Sequence, residues 1–233
     1  MFAFVASEAR EFSGLLRHVD GLTTLNWGID FARDGLLNGR AIVLAANGPG
    51  PKLAGPAADA VKEHYELEGL ASIGFCGALN PSFHPCDIVV AGSIVGEQPD
   101  VAHALSMPRS QSWERQTAAL LSLDHVATTP QEKSDLRSRY SSDAIEMEAA
   151  ALAKRAREWQ IPFYAIKIVT DTASESFPLD FNRLRTLEGR FSIPKIIAAA
   201  LVRPTVVPAL MKLNRRCNQA SQILGDFLAD ASF

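Results

Sequence analysis

The feature that most constrains this chain is a run of apolar residues that ends abruptly in an acid. Residues 163–169, FYAIKIV, are rich in β-branched and aromatic side chains, which is typical of a buried strand. The run stops at Thr170 and Asp171. Because open α/β sheets bind ligands beyond the carboxyl ends of their parallel strands, Asp171 is a candidate functional carboxylate. The sequence thus predicts an α/β fold with a site at this edge of the sheet.

Two more acids precede that strand, separated from it by one helix. Glu146 and Glu148 stand on either side of Met147, and side chains two apart point the same way on an extended segment but not on a helix. Residues 149–157 are strong helix formers. Both carboxylates are therefore expected just before or at the helix start, where the helix dipole favours negative charge. On these residues alone, all three acids could equally be ordinary helix and loop caps.

The order EMEAAA, IPF and a strand ending in Thr-Asp resembles the nucleoside phosphorylase and nucleosidase superfamily. The resemblance implies that Glu148 and Met147 hold a ribose, with Glu146 beside them. It also implies that Asp171 donates a proton to the purine.

A further carboxylate is expected near the N-terminus. MFAFVAS is a predicted strand, and SEAREFSGLLRHV after it is a predicted helix with two acids at the junction. In nucleosidases of the family, a Glu at this point activates the attacking water. The positions of the strand starts favour Glu11 as that base and leave Glu8 as the alternative. Without the resemblance, both are ordinary helix N-terminal acids.

A glycine-rich junction, NGPGPK, follows another predicted strand. Glycines at such a turn let backbone amides approach an anion. The resemblance implies that Gly48, Gly50 and Lys52 form the loop on the phosphate or nucleophile side. The junction is neither a P-loop nor a dinucleotide fingerprint.

The loop GFCGAL also resembles a family segment, in which small residues let base and ribose pack against the backbone. It implies that Phe75, Cys76 and Gly77 contact the substrate, with Cys76 as an apolar liner and not a nucleophile. Phosphorylases of the family often carry Arg and Ser in or near this loop, and this loop has neither. Their absence favours hydrolysis, although Lys52 or a distant Arg could still bind phosphate.

Two other segments are predicted to reach the site. The resemblance implies that Val126 and Ala127 contact the purine through their main chain, whereas His125 is interpreted as structural. The polar, proline-containing residues 96–117 are expected to lie over the site as a specificity loop.

The C-terminal part of the chain is apolar with basic edges. Residues 190–233 are predicted to be a helical extension of one domain that spans residues 1–233. Packing on the sheet is one interpretation, and contact with a lipid-like substrate or an anionic membrane is the other. This tail and the GFCGALNP loop resemble the hopanoid-associated branch, whose members are assigned to removing adenine from adenosylhopane. A methylthioadenosine or adenosylhomocysteine nucleosidase, a purine nucleoside phosphorylase and a non-catalytic nucleoside-binding protein stay open as alternatives.

The resemblance implies a single three-layer αβα domain with a mixed, partly barrel-like sheet, usually assembled as a homo-oligomer. It implies an adenine nucleoside as substrate, free or lipid-linked, with water or phosphate as co-substrate. No metal or organic cofactor is expected. The formal net charge of -3 argues against nucleic-acid binding, and the three cysteines suggest a reducing compartment. A cytoplasmic protein is expected, with the inner membrane face as an alternative location.

Overall fold

A computed structural model describes residues 1–96, 105–110 and 112–233. Within these ranges, nine strands form one mixed sheet. The strands are β1 Phe2–Ala6, β2 Val19–Thr24, β3 Phe31–Leu37, β4 Arg40–Ala46, β5 Gly69–Ala78, β6 Ile88–Val95, β7 Gln116–Ser122, β8 Ala144–Glu146 and β9 Phe163–Asp171. Their order is β2-β3-β4-β1-β5-β8-β7-β6-β9, and β5 also pairs with β9. That extra pairing closes five strands on themselves, which confirms the predicted mixed, partly barrel-like α/β fold.

Helices cover both faces of this sheet. They are α1 Pro51–His64, α2 Pro130–Tyr140, α3 Ala149–Glu158, α4 Ile193–Val202 and α5 Val207–Asp230. Strand β1 shows the layers directly, because successive side chains of a strand face opposite sides. Ala3 and Val5 pack in one core cluster with α1 and α3, whereas Phe2 and Phe4 pack in the other with α5. The three predicted layers are therefore present.

Strand β9 is the centre of the closed part of the sheet, and all nine of its residues are buried. It runs parallel to β5 and antiparallel to β6. Cys76 of β5 pairs with Val169 of β9, but the next residue, Gly77, pairs with Asp171 and skips Thr170. This irregularity shifts the register of the two strands by one residue. A Cβ at Gly77 would lie 2.9 Å from Asp171 Oδ2. The bulge and the missing side chain together make room for the carboxylate.

The helix predicted after β1 is wrong as a continuous element. The chain instead forms two short 3-10 helices, Ala9–Phe12 and Leu15–His18. Gly14 lies between them, where the backbone of α5 crosses so closely that a Cβ would lie 2.2 Å from Ser221 O. The two short helices are therefore separated at the point where α5 crosses.

The β2–β3 hairpin was only partly anticipated. The pattern of residues 27–33, WGIDFAR, predicts a strand, but β3 begins at Phe31. Strand β2 was missed because five of its six residues are exposed, which hides the usual alternation of apolar and polar side chains. An Asn-Gly pair between two strand patterns predicts a turn at Asn38 and Gly39, and their positive φ values of 52° and 78° confirm it.

The apolar residues from 174 onwards also favour helices, but the helices begin later in the chain. Residues 172–192 form turns and loops with no helix, and the first helix begins at Ile193. Phe177, Phe181 and Phe191 pack edge to face across this loop, with ring centroids 5.4 and 5.9 Å apart. The three rings, called here the aromatic strap, explain the apolar composition without a helix.

Residues 190–233 divide into two parts. Helix α4 and the start of α5 are largely exposed, but Ala220, Leu224, Phe227 and Leu228 of α5 are fully buried in the core. In the described ranges no single helix is long and apolar enough to cross a bilayer; only α4 and α5 together meet that test, as a pair bent by 113°.

The segment expected to lie over the site falls partly outside the described residues. Residues 105–110 are described and lie elsewhere, since the Ser106 N–H donates to Phe163 O at the start of β9. Arg109 pairs with Ser232 near the C-terminus. This part of the segment is therefore at the end of β9 opposite Asp171, and the expectation is wrong for it.

Candidate active site

A cleft of about 150 Å³ opens at the ends of β1, β5, β8 and β9. The expected site residues that line it are Glu11, Phe75, Cys76, Gly77, Val126, Ala127, Glu146, Met147, Glu148 and Asp171. Residues far apart in sequence thus meet at one edge of the sheet.

Glu11 lies in the first 3-10 helix and is buried. Its Oε2 accepts hydrogen bonds from the Ser7 N–H and hydroxyl, both at 2.8 Å, and from the Glu8 N–H at 3.0 Å. Its Oε1 accepts one from the Phe75 N–H at 2.9 Å. Gly74 has a φ of +126° and no side chain to displace the carboxylate. Four donors therefore fix Glu11, and the Ser7 hydroxyl is the one that can rotate away.

Glu8 lies nearer the rim of the same cleft. Its carboxylate pairs with the Arg10 guanidinium at 2.7 Å. Burial raises the pKa of Glu8, while Arg10 opposes the rise. The Glu11 carboxylate is held by main-chain amides from two parts of the chain, the junction after β1 and strand β5, whereas that of Glu8 is held by a side chain.

Glu146 and Glu148 share one buried cation, Lys167 of β9. The Lys167 ammonium lies 2.9 Å from a Glu146 oxygen and 3.5 Å from one of Glu148. Glu146 also accepts hydrogen bonds from the N–H groups of Glu148 and Ala149, at the start of α3. Glu148 accepts one from the Gly50 N–H at 2.9 Å. Both carboxylates thus lie before the helix, as predicted.

These buried charges alter one another's ionisation. Burial, with Glu146 and Glu11 adding to it, raises the pKa of Glu148 to about 7 against the pull of Lys167. Burial acts in the same direction on Glu146, but Lys167 and hydrogen bonds outweigh it and lower the Glu146 pKa. Burial lowers the pKa of Lys167, yet its carboxylate neighbours raise it overall. Glu148 is therefore the carboxylate of the pair that can titrate near neutral pH.

Asp171 is paired with a second buried cation that the sequence did not indicate. The ammonium of Lys133, from α2, lies 2.5 Å from Asp171 Oδ2 and donates to Thr172 O at 2.7 Å. The Thr170 hydroxyl donates to Asp171 Oδ1 at 3.0 Å. Burial raises the pKa of Asp171 overall, although Lys133 opposes the rise.

Phe75, Cys76 and Gly77 of β5 form one wall. Burial raises the pKa of the Cys76 thiol, and the charge of Asp171 raises it further. The thiol is therefore protonated and lines the cleft, because a nucleophilic cysteine needs its thiolate.

The opposite wall is the loop that follows β7. The Asn182 carboxamide donates to Val126 O and accepts from the Val126 N–H, both at 2.9 Å. Within the described ranges, the Ala127 main chain makes no hydrogen bond. His125 lines the cleft and pairs with Glu132 of α2. The loop thus offers the Ala127 main chain, and not that of Val126, to a ligand.

The glycine-rich junction lies beside the cleft but its amides are in use. The Gly50 N–H bonds to Glu148, and the Gly48 N–H donates to Ser7 O at 2.8 Å. Lys52 is exposed and does not line the cleft. Of the three residues expected on the nucleophile side, Gly50 alone contacts another candidate site residue.

Three residues of this region were missed, namely Lys133, Lys167 and Asn182. Lys167 had a signal, because a lysine inside a buried strand requires a partner. Lys133 and Asn182 had none, since their partners are 38 and 56 residues away. In the described part of the chain, no group of three or more His, Cys, Asp or Glu side chains could hold a metal ion.

Comparison with known proteins places this geometry in a family. The model of the phosphorylase superfamily matches residues 5–118 and 116–187. The chain belongs to the phosphorylase superfamily. This superfamily member is 23% identical over 197 residues to the 5'-methylthioadenosine/S-adenosylhomocysteine nucleosidase of Shewanella denitrificans, covering 73% of this chain and 85% of that one.

Solved structures of the same kind share the fold. The nucleosidase of that name from S. pneumoniae, solved with a transition-state inhibitor, superposes with a TM-score of 0.75 at 15% identity, covering 98% of this chain and 96% of that one. The Neisseria meningitidis nucleosidase, solved with methylthio-immucillin-A, gives 0.73 at 17% identity over 98% and 96% of the two chains. The superfamily member described here therefore has the complete fold of these proteins.

Proposed function

We propose that the protein cleaves the N-glycosidic bond of an adenine nucleoside by hydrolysis. The observation that carries this proposal is the meeting of Asp171, Glu11 and Glu148 in one cleft, each held differently. Glycoside cleavage needs an acid for the leaving group and a second carboxylate for the attacking water. Similar proteins named as 5'-methylthioadenosine/S-adenosylhomocysteine nucleosidases support an adenine nucleoside as substrate.

Asp171 would be the acid. Adenine leaves readily only when its N7 is protonated, and an acid can donate that proton only if it holds it near neutral pH. Burial raises the pKa of Asp171, which supports this role. The unbonded Ala127 main chain could fix the base edge, while Asn182 keeps the neighbouring peptide in place.

Glu148 and Met147 would hold the ribose, and Glu11 would orient the water. Glu146 would act through Lys167, which keeps Glu148 in position. The sugar becomes oxocarbenium-like as the bond breaks, and the carboxylates around it would stabilise that positive charge. Rotation of the Ser7 hydroxyl would free one lone pair of Glu11 for the water.

Water is a better candidate than phosphate for the nucleophile. The Gly48 and Gly50 amides already bond to protein acceptors, and Lys52 is exposed away from the cleft. Among the described residues lining the cleft, Arg10 has the only guanidinium or ammonium group, and it is paired with Glu8. A phosphate dianion would have to displace that carboxylate.

The 5' substituent would be large and apolar, as in adenosylhopane. A second chamber of about 350 Å³ shares Phe75, Val126, Thr170 and two rings of the aromatic strap with the cleft. Its remaining walls are mostly apolar and include Ile193, Ile196, Leu210 and Leu213. Burial of a polycyclic hydrocarbon against such walls is favourable at about 25 cal/mol per Å².

A soluble thio-nucleoside is the second candidate. The observation in its favour is that the relatives at 23% identity are named for methylthioadenosine and adenosylhomocysteine. The chamber could hold a short thioalkyl group, but most of its apolar wall would then face water.

The test is release of adenine from adenosine, methylthioadenosine and detergent-solubilised adenosylhopane, each with and without phosphate and followed by chromatography. We expect phosphate-independent release, with the highest kcat/KM for the lipid nucleoside. Release only with phosphate would make the protein a phosphorylase, and preference for methylthioadenosine would favour the second candidate. Nucleoside binding without release from any of the three would indicate a binding protein.

A further inference from the structure

Helix α4 and the start of α5 expose large apolar side chains to solvent. Their exposed fractions are Ile193 61%, Ile197 55%, Leu201 77%, Val202 81%, Val207 38% and Met211 57%. These six residues are called here the hairpin surface. Ile193, Ile197 and Leu201 recur every four residues and so share one face of α4. Exposed apolar faces of this kind mark places of interaction.

The hairpin surface lies in a segment with one sign of charge. Between Glu188 and Asp226 the sequence has no Asp or Glu, although the whole chain carries a net charge of -3. The same segment has exposed basic residues on α4, just after it and on α5, namely Lys195, Arg203, Lys212 and Arg215. Apolar side chains with a basic border are complementary to a bilayer with anionic headgroups.

The shape of the segment suits the surface of a bilayer and not its interior. Neither α4 nor α5 is by itself long and apolar enough to cross a membrane, and the two are bent by 113° at the short Pro204–Val206 turn. Leu201 and Val202, the most exposed of the six, stand at that bend. The bend would enter the acyl boundary while the basic residues stay at the headgroups.

A second copy of the chain is a poorer occupant. A twofold contact sets the same patch against itself. The basic border of one copy would then meet the basic border of the other, with no acid from this segment to neutralise it.

The hairpin surface is also continuous with the candidate site. Ile193 belongs both to the exposed patch and to the wall of the apolar chamber, and Ile196 of α4 lines the chamber as well. The chamber in turn shares walls with the cleft that holds Asp171. An apolar group held in a bilayer would therefore have an apolar path towards the cleft.

We propose that the hairpin surface docks on bilayers that contain anionic lipid, with Leu201 and Val202 inserted and Lys195 and Arg203 at the headgroups. This docking goes beyond the proposed reaction and does not depend on it, because it is measured without a nucleoside. A protein that releases no adenine could therefore still bind vesicles, and one that binds no vesicles could still release adenine.

The experiment is co-sedimentation of the full chain with phosphatidylcholine vesicles and with vesicles that also contain phosphatidylglycerol. We expect binding to the anionic vesicles that weakens with salt. Lys195→Gln with Arg203→Gln should lower the partition coefficient roughly 30-fold, since each basic residue contributes a factor of about five. Leu201→Glu with Val202→Glu should reduce it by at least about tenfold.

The matched control is Leu36→Glu on β3, which also changes an exposed leucine, 45% accessible, to an acid. It should bind vesicles as the wild type does, and thermal melting checks that all variants fold. Equal binding by the Leu201→Glu, Val202→Glu variant and the wild type would overturn the proposal, as would no vesicle binding by the wild type. Light scattering measures the oligomeric state of both proteins. A wild type that is a dimer and a Leu201→Glu, Val202→Glu variant that is a monomer would show that the surface is a subunit interface and overturn the proposal.

Discussion

At the scale of single residues, the two buried lysines decide how the carboxylates behave. Asp171 would need a proton to act as an acid, yet Lys133 lies against it. The pair stabilises the anion that remains after the proton has left. Lys167 likewise stabilises the ionised forms of Glu146 and Glu148, beside the proposed ribose site.

Asp171→Asn should lower kcat for adenine release by roughly 10²- to 10⁴-fold, because the amide cannot donate as a carboxylic acid does. Nucleoside binding should change little, as isothermal titration can show. The variant should also lose roughly 3–5 kcal/mol of stability, since it leaves the Lys133 ammonium buried without its counterion.

The control for this loss is Asp171→Asn combined with Lys133→Met. Removing both charges should restore much of the melting temperature but none of the activity. Near-normal kcat in either variant would show that another group is the acid.

Glu11→Gln should cost more activity than Glu8→Gln. Glu11 is fixed by four donors on the floor of the cleft, whereas Glu8 is paired with Arg10 at the rim. We expect a kcat loss of roughly 10²-fold or more for Glu11→Gln and less than about tenfold for Glu8→Gln. The reverse ranking in the same assay would assign the water-activating role to Glu8.

Glu148 should make the protein less stable as the pH rises. Its pKa is about 7 in the folded chain against an ordinary 4.5, so the folded state holds this proton more tightly. The part of the free energy of unfolding that comes from binding this proton is fully present below pH 4.5. It is lost as the pH rises through about 7, a change on the order of 3 kcal/mol.

Glu148→Gln cannot lose this proton, so it should melt roughly 6–12 °C above the wild type at pH 8 and close to it at pH 5. Glu66→Gln serves as a control, because the Glu66 side chain is 98% exposed. A Glu148→Gln variant with the wild-type pH profile of melting temperature would contradict a raised Glu148 pKa.

The acids could be found from sequence, but their partners could not. The spacing of Glu146 and Glu148 and the abrupt end of FYAIKIV are local signals, and the structure places all three acids in the cleft. Lys133 comes from α2 and reaches Asp171 only because the sheet closes. Such contacts depend on tertiary packing, which spacing along the chain does not record.

At the scale of elements, the bulge between β5 and β9, where Thr170 of β9 has no partner on β5, is the feature on which the cleft depends. It turns Gly77 towards Asp171 and leaves no room for a side chain. Without the bulge, Gly77 would pair with Thr170, one residue before Asp171. The side chains that follow would then point to the other face of the sheet.

Gly77→Ala should therefore lower kcat by roughly 10- to 100-fold, since its Cβ would lie 2.9 Å from Asp171 Oδ2 and move the carboxylate. Gly92→Ala on β6 is the matched control, because its Cβ would meet a Thr117 methyl group at 3.0 Å and the Ala118 O only at 3.9 Å, with no carboxylate beside it. Steady-state kinetics should show near-normal activity for the control. Equal losses in both variants would indicate a general effect of alanine in the sheet.

Sequence patterns predicted the buried elements better than the exposed or irregular ones. Strands β1 and β9 are buried on both faces throughout, β4 is so from Ile42 onwards, and all three contain apolar runs. Residues 174–192 belong to an apolar stretch whose composition favours helices, but the rings of the aromatic strap pack on one another in a loop. Composition alone does not separate these two arrangements.

At the scale of the whole molecule, closure of the sheet brings distant strand ends to one edge. Glu11 follows β1, Glu146 ends β8 and Asp171 ends β9. Extra pairing of β5 with β9 is what makes these ends neighbours. The cleft is therefore a property of the complete domain and not of any one motif.

Helix α5 runs without a break from the exposed hairpin surface to the core beneath Glu11. Its first turns carry Val207 and Met211 of the hairpin surface, while its second half packs under the first 3-10 helix. There the Ser221 hydroxyl donates to Arg10 O and Glu11 O, beside the close crossing of Gly14 and Gly225. Trimming the chain from its C-terminus to improve its handling in solution would thus remove the support of Glu11 before it reached the exposed hairpin. Substitutions on the hairpin surface, such as at Leu201 and Val202, would reduce the exposed apolar area and leave the support of Glu11 in place.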